Sequence, residues 1–121
     1  MYFDPMKPIW LQVATELKQQ IVTGALSPGS KLPGGRDLAV AFGINPNTAA
    51  RIYQELEREG ICRTRRGLGT FVTEDGDRIR RMKEEMARNA VERFMKELAG
   101  LGLSREEAVR IMMEENCDAE K

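Results

Sequence analysis

Arg36-Asp37-Leu38-Ala39-Val40-Ala41-Phe42-Gly43-Ile44-Asn45-Pro46-Asn47-Thr48-Ala49-Ala50-Arg51-Ile52-Tyr53-Gln54-Glu55-Leu56-Glu57-Arg58-Glu59 carries two helical periods separated by one break. Leu38, Ala39 and Phe42 share a face at helical spacing. Gly43 interrupts that run, because glycine tolerates the positive φ that a sharp turn between helices needs. Ala49, Ile52, Tyr53 and Leu56 then build a second apolar face. Ala39 and Ala49 flank the break, and small side chains there let two helices cross closely. The spacing predicts a helix-turn-helix. Its second helix keeps Asn47, Thr48, Arg51 and Glu55 off the apolar face. Asn, Thr and Arg near a helix start can reach base edges and phosphates in a major groove. A plain αα-hairpin inside a helical core has the same turn spacing, so the flanking sequence has to separate the two readings.

Downstream, Gly60 ends the second helix, and Ile61-Cys62-Arg63-Thr64-Arg65-Arg66-Gly67-Leu68-Gly69-Thr70-Phe71-Val72-Thr73 follows. This reads as two short strands, 61–65 and 69–73, joined by a tight turn at Arg66-Gly67-Leu68-Gly69. A hairpin placed directly after a helix-turn-helix makes a winged helix. Taken alone, Arg63, Arg65 and Arg66 would be a solvated face. Beside a helix-turn-helix they are placed for phosphate or minor-groove contact. Cys62 reads as a small buried residue of the wing strand.

Upstream, residues 1–7 form a short arm, and Pro8 suits a first helical position. Ile9, Trp10, Val13, Leu17 and Ile21 then make a helical stripe, with Gln12, Lys18 and Gln19 mostly away from it. Gly24 ends that helix and Pro28-Gly29 makes a turn. Lys31-Leu32 suits a very short strand. Pro33-Gly34-Gly35 opens the next helix, with Gly34 a weaker N-cap than Ser or Asp.

Beyond the wing, Asp75-Gly76-Asp77 reads as a hinge and residues 78–99 as a long helix. Ile79, Met82, Met86, Ala90, Phe94 and Leu98 lie on one stripe, widened by Val91 and Met95. Gly100-Leu101-Gly102 stops it. Ser104-Arg105-Glu106-Glu107 is a capping-box pattern opening a last helix. That helix carries Ala108, Ile111 and Met112 on one side, with Val109 and Met113 near the other. Residues 117–121 are polar and expected to fray. A two-helix tail of about 46 residues is too small to bury a core alone. Their stripe either folds back on the winged helix or pairs with a second copy. Pairing is the better expectation, because DNA readers of this kind work as two-fold dimers on palindromic sites. The methionines of the stripe would also suit an adaptable peptide groove, but a repackable dimer core is the simpler reading. The expected fold is therefore mainly α with a small β-hairpin wing. A winged helix-turn-helix DNA-binding domain covers residues 1–74, and a C-terminal α-helical dimerisation tail covers 75–121. The dimerisation residues are Ile79, Met82, Met86, Ala90, Phe94, Leu98, Ile111 and Met112.

The composition bounds the chemistry. The 121 residues are 41% hydrophobic and 31% charged, with zero formal net charge. Residues 1–73 hold nine Lys and Arg against six Asp and Glu, a balance of +3; residues 74–121 hold ten against thirteen, a balance of −3. A basic front can meet phosphate while an acidic back faces away. No basic segment followed by an apolar run opens the chain, so no signal peptide is expected. No apolar run has the length of a membrane span. Cys62 and Cys117 make no disulfide framework, and reduced thiols in a cytoplasmic protein are expected. Histidine is absent, which removes the commonest general base and metal ligand. With no Gly-rich phosphate loop before a helix and no metal-ligand cluster, neither catalysis, a metal nor a cofactor is expected. Glu106-Glu107 and Glu114-Glu115 read as solvated helix faces, not catalytic pairs.

These residues resemble the GntR family of bacterial transcription regulators over about residues 8–73. The likeness rests on Pro8-Ile9-Trp10 with Gln12-Val13, on Gly24 through Pro33, on Arg36-Asp37-Leu38-Ala39, on Gly43 through Thr48, on Tyr53-Gln54-Glu55-Leu56, and on Gly60-Ile61 with Thr64 through Val72. The short tail, with Leu101-Gly102-Leu103-Ser104 before its last helix, is similar to the YtrA-type subfamily; most other members carry a larger effector-binding domain there. The resemblance implies that Arg36 contacts DNA, often a guanine. It implies that Asn45, Asn47 and Thr48 form the turn and the start of the recognition helix. Gly67, Gly69 and Thr70 become the wing tip, whose backbone approaches the minor groove. It further implies a repressor acting on an inverted-repeat operator of nearby transporter genes. Two departures stand out. Gly34 occupies a position where the family usually has Ser, losing about a few tenths of a kcal/mol of capping. Ala49 follows Thr48 where many relatives carry a larger apolar residue, which bears on the tilt of the recognition helix.

The resulting expectation is a homodimer on double-stranded, palindromic DNA, with two recognition helices in successive major grooves about 34–36 Å apart. Arg51, Arg65 and Arg66 join Arg36, Asn45, Asn47, Thr48, Gly67, Gly69 and Thr70 as the DNA-contacting set. A winged helix that docks protein in place of DNA is the alternative, and it predicts weak, salt-insensitive DNA binding. A small-molecule effector, if one acts, would occupy the cleft between tail and winged helix and bind two arrangements with different affinity.

Overall fold

Helix ends follow the glycines and caps of the sequence. The computed structural model describes residues 2–119, with side chains through Glu115. Among these residues the order is α1 (Ile9–Val22), α2 (Gly35–Phe42), α3 (Pro46–Arg58), β1 (Cys62–Arg65), β2 (Gly69–Val72), α4 (Gly76–Gly100) and α5 (Arg105–Ala119). The architecture is mainly helical with a two-stranded antiparallel wing, as expected.

The chain divides into two compact units, one reaching to Lys83 and one starting at Glu84. In the first, α1 contributes Val13, Ala14, Leu17 and Ile21 to the core, α2 contributes Leu38 and Ala39, and α3 contributes Ala49, Ile52, Tyr53 and Leu56. These are most of the apolar positions read from the spacing; Ala14 joins them, Trp10 and Phe42 are half-buried, and Ile9 is exposed. Leu32, Ile61, Cys62 and Val72 close the core from the wing side. A fully buried aliphatic side chain stabilises the fold by roughly 1.5–3 kcal/mol, so these faces decide how the three helices pack. Gly43 holds φ at 66°, and the Ile44 amide reaches back to the Ala39 carbonyl at 2.9 Å, turning the chain from α2 into α3.

The wing pairs Cys62 with Val72, Arg63 with Phe71, Thr64 with Thr70 and Arg65 with Gly69. Residues 29–32 add a short third rail. The Leu32 amide donates to the Thr70 carbonyl (2.8 Å), Val72 to Ser30 (2.9 Å), and Gly29 to Val72 (3.0 Å). The expected strand at Lys31-Leu32 is thus a single bridge, Lys31 to Phe71.

Four expectations change. Pro8 is the N-cap of α1, not its first helical residue, because its ψ of 134° is extended. Asp75-Gly76-Asp77 is not a hinge. The Asp75 carboxylate accepts from the amides of Asp77 (3.0 Å) and Arg78 (3.2 Å), so it caps a helix that begins at Gly76. The first turns of α4 belong to the winged-helix unit: Arg78 Nε donates to the Glu59 carbonyl at 2.8 Å, and Met82 is 2% exposed. The units therefore part beyond residue 83, where the sequence reading set a boundary at 74/75. Finally, α5 continues to Ala119 where fraying from 117 was expected. Residues 120–121, and the thiol of Cys117, lie outside the described residues.

In the second unit the capping box forms as read. The Ser104 amide donates to Glu107 Oε1 and the Glu107 amide donates to Ser104 Oγ, both at 3.1 Å. The backbone and hydroxyl of Ser104 hold the Glu107 carboxyl below its usual range. Gly102 and Leu103 turn the chain through amides bonded to Ala99 (3.0 Å) and Leu98 (3.1 Å). Ala108 is fully buried in this unit.

Candidate nucleic-acid interface

Three segments carry the predicted DNA-contacting residues, and the core fixes all three against one another. Arg36 is the second residue of α2, after the cap at Gly34, and is exposed. The Tyr53 hydroxyl of α3 donates to the Pro33 carbonyl, which ties the start of α2 to α3. Burial, then the nearby charges of Cys62 and Asp37, push the Tyr53 phenol up to about 12. It therefore stays a neutral donor across any physiological pH.

Asn45 is the N-cap of α3, and its carbonyl oxygen accepts the Asn47 amide at 2.7 Å. That oxygen is engaged in the cap, while the carboxamide NH2 keeps its own donors. Pro46 stands at the first helical position, where its missing amide costs nothing. Asn47 is exposed and Thr48 half-buried beside buried Ala49. The exposed Arg51 guanidinium lies over the Trp10 ring of α1, 4.6 Å from its centroid. Lys18 Nζ of α1 meets Glu59 Oε1 at 3.1 Å, so α1 is pinned beyond the far end of α3 as well.

The wing is joined to α3 through Thr64. Its hydroxyl donates to the Glu57 carboxylate at 3.1 Å and lies 3.3 Å from the Thr70 hydroxyl. The tip turn is closed by the Leu68 amide on the Arg65 carbonyl (2.9 Å). Arg65 lies over the Phe71 ring at 5.5 Å; Arg66 and Gly67 are exposed, and Gly69 and Thr70 half-buried. Gly69 has φ of 122°, and a Cβ there would stand 2.7 Å from Lys31 Cε. The Lys31 side chain, from the loop before α2, thus lies against Gly69. Cys62 is free and buried, its Sγ 3.7 Å from the Tyr53 carbonyl. Burial, then the Glu57 charge, push its thiol to about 12.

All ten predicted DNA-contacting positions therefore fall on the start of α2, the cap and first half of α3, or the wing. Sequence reasoning missed four supporting residues. Tyr53 was read only as core, Trp10 only as part of an apolar stripe, and Glu57 and Lys31 were given no role at the site. Lys31 had one visible signal, its place in a short strand. Glu57 had none, since its meeting with Thr64 depends on the turn at Gly60. Of the residues expected at a dimer contact, Met82 is buried in its own chain. Ile79, Met86, Leu98 and Ile111 are half-buried, and Ala90, Phe94 and Met112 exposed.

A helix-turn-helix with an exposed, capped second helix, flanked by an arginine-bearing wing, is the architecture of the winged-helix class of DNA-binding proteins. The chain belongs to the gntR family of bacterial regulatory proteins, whose model matches residues 10–72. It is 43% identical over 105 residues to YhcF of Bacillus subtilis, an uncharacterized HTH-type transcriptional regulator, covering 87% of each chain. The HTH-type transcriptional repressor YtrA of the same organism is 46% identical over 68 residues, 56% of this chain and 52% of that protein. A solved GntR family transcriptional regulator from Listeria monocytogenes superposes with a TM-score of 0.85 at 37% identity, covering 93% of this chain and 98% of that one. No described helix is long and apolar enough to cross a membrane.

Proposed function

We propose that the protein is a homodimeric repressor that binds an inverted-repeat operator in the cytoplasm, with genes beside its own, transporter genes among them, as targets. The observation that carries this is the attachment of two candidate DNA-contacting segments to the helix that carries the third. Tyr53 and Glu57 of α3 bond to the loop before α2 and to the wing, so Arg36, the start of α3 and the wing arginines are built on one scaffold. Base edges are read by Arg36, Asn47 and Thr48, while Asn45, Arg51, Arg65, Arg66 and the backbone at Gly67, Gly69 and Thr70 fix register on the phosphates. Repression is supported by the likeness to YtrA. Dimerisation through the tail is supported by Phe94 and Met112, apolar and exposed on α4 and α5.

Selection of random duplexes by the purified chain, then titration of the best duplex across a salt series, tests this reading. The expected result is an enriched two-fold repeat, bound far more tightly than scrambled DNA, with affinity falling steeply as salt rises. Weak binding at every salt with no enrichment would favour a protein-docking winged helix instead.

A further inference from the structure

We propose that Trp10 is a positioning residue for DNA recognition: its ring holds the Arg51 guanidinium at the flank of α3, where the free edge of the guanidinium donates to a DNA phosphate. This rests on the DNA-binding reading above. The position of the guanidinium over the ring carries it. With its carbon 4.6 Å from the ring centroid, Arg51 is within the range of a cation–π contact. A guanidinium over a ring still has five N–H donors, more than that contact uses, and an arginine fork matches a phosphate.

Neither partner of the stack is free to wander. Trp10 is the second residue of α1, half-buried, and followed by Val13, Ala14 and Leu17 in the core. The Lys18–Glu59 pair adds a contact between α1 and the residue that follows α3. On α3, the nearest intrahelical competitor for Arg51 is Glu55, four residues on, and Glu55 is bridged by Arg58 Nε at 3.2 Å. Arg51 shares its exposed side of the helix with Asn47 and Gln54, four residues before and three after it. An unstacked arginine would lose rotamer freedom on meeting the phosphate. Here much of that freedom is already lost in the folded protein, so binding removes less of it.

The test compares wild type, Trp10→Leu, Trp10→Phe, Arg51→Met and Trp10→Leu/Arg51→Met on the best duplex from the selection, across the same salt series. Melting curves without DNA report folding. Trp10→Leu is expected to weaken binding about three- to tenfold, the cost of immobilising one rotamer-rich side chain on binding. Trp10→Phe, which keeps a ring, should retain most of the affinity. Arg51→Met should weaken binding on all sequences alike and lower the salt slope by about one for each phosphate that Arg51 neutralises. In the Arg51→Met background, Trp10→Leu should have no further effect. Because the chain has a single tryptophan, its emission in the DNA-free protein should change in Arg51→Met. This keeps the test open if Trp10→Leu does not fold.

Equal losses from Trp10→Leu in both backgrounds would overturn the proposal, since Trp10 would then act on the fold and not on Arg51. An unchanged affinity and salt slope for Arg51→Met, unchanged emission in that variant, or tighter binding by Trp10→Leu would overturn it too, with the DNA-binding reading intact. Failure of the wild type to enrich any duplex would remove both.

Discussion

Arg36 projects from the second position of an eight-residue helix whose start is tethered by Tyr53. An arginine so placed can reach a guanine edge bidentately. Arg36→Ala should therefore lose about 1–3 kcal/mol of specific binding and relax preference at one base pair, as read by titration of duplexes varied at single positions. An unchanged base preference would take Arg36 out of the reading set. Tyr53 and Cys62 predict an alkaline limit. Their ordinary values, 10.0 and 9.0, are both raised to about 12 in the folded chain. Above pH ~9 the unfolded chain releases protons that the folded chain keeps, so stability falls as pH rises. It should be intact below pH ~9 and decline progressively toward about 12. Melting temperature followed from pH 7 to 11.5 should show this, and Cys62→Ala and Tyr53→Phe should each flatten part of the decline.

At the scale of the element, α3 shows how one residue can serve both fold and site. Asn45 caps the recognition helix through its carbonyl oxygen. Asn45→Ala should cost about 1 kcal/mol of stability. Asn45→Asp should keep the cap, since aspartate caps as well, yet weaken DNA binding by setting a carboxylate near phosphate. Paired melting and binding measurements separate the two roles. If both variants lowered binding only in proportion to stability, Asn45 would be a cap alone. Helices and wing strands were legible from periodicity, Gly43, Gly60 and the capping box, because those signals are local. The wing's dependence on Lys31 and Glu57 was not. Those residues come from the loop before α2 and from α3, and meet the hairpin only after the chain has turned twice.

The whole molecule divides within α4, and the division is informative. Met82 is buried with the winged helix, so the first turns of α4 stabilise the DNA-binding unit. Residues 1–83 should fold alone, sediment as a monomer and bind the operator far more weakly than the full chain, because two linked heads gain effective concentration. A fragment ending at residue 74 should be less stable, since it lacks Met82 and the Arg78 bond to the Glu59 carbonyl. Equal melting temperatures for the two fragments would deny α4 that role. A full operator affinity in the 1–83 monomer would argue against dimerisation through the tail.

Local order, then, was determined by the sequence alone: where helices start and stop, which faces are apolar, and that two arginines stand at a hairpin tip. These follow from backbone sterics and from a 3.6-residue period, which act over a few neighbours. The tertiary structure decided the rest. It laid Trp10 under Arg51, tied Pro33 to Tyr53 and Thr64 to Glu57, and turned Met82 from an expected dimer contact into core. Each of these joins residues from different elements, and only packing of the buried faces brings such residues within hydrogen-bond or van der Waals distance.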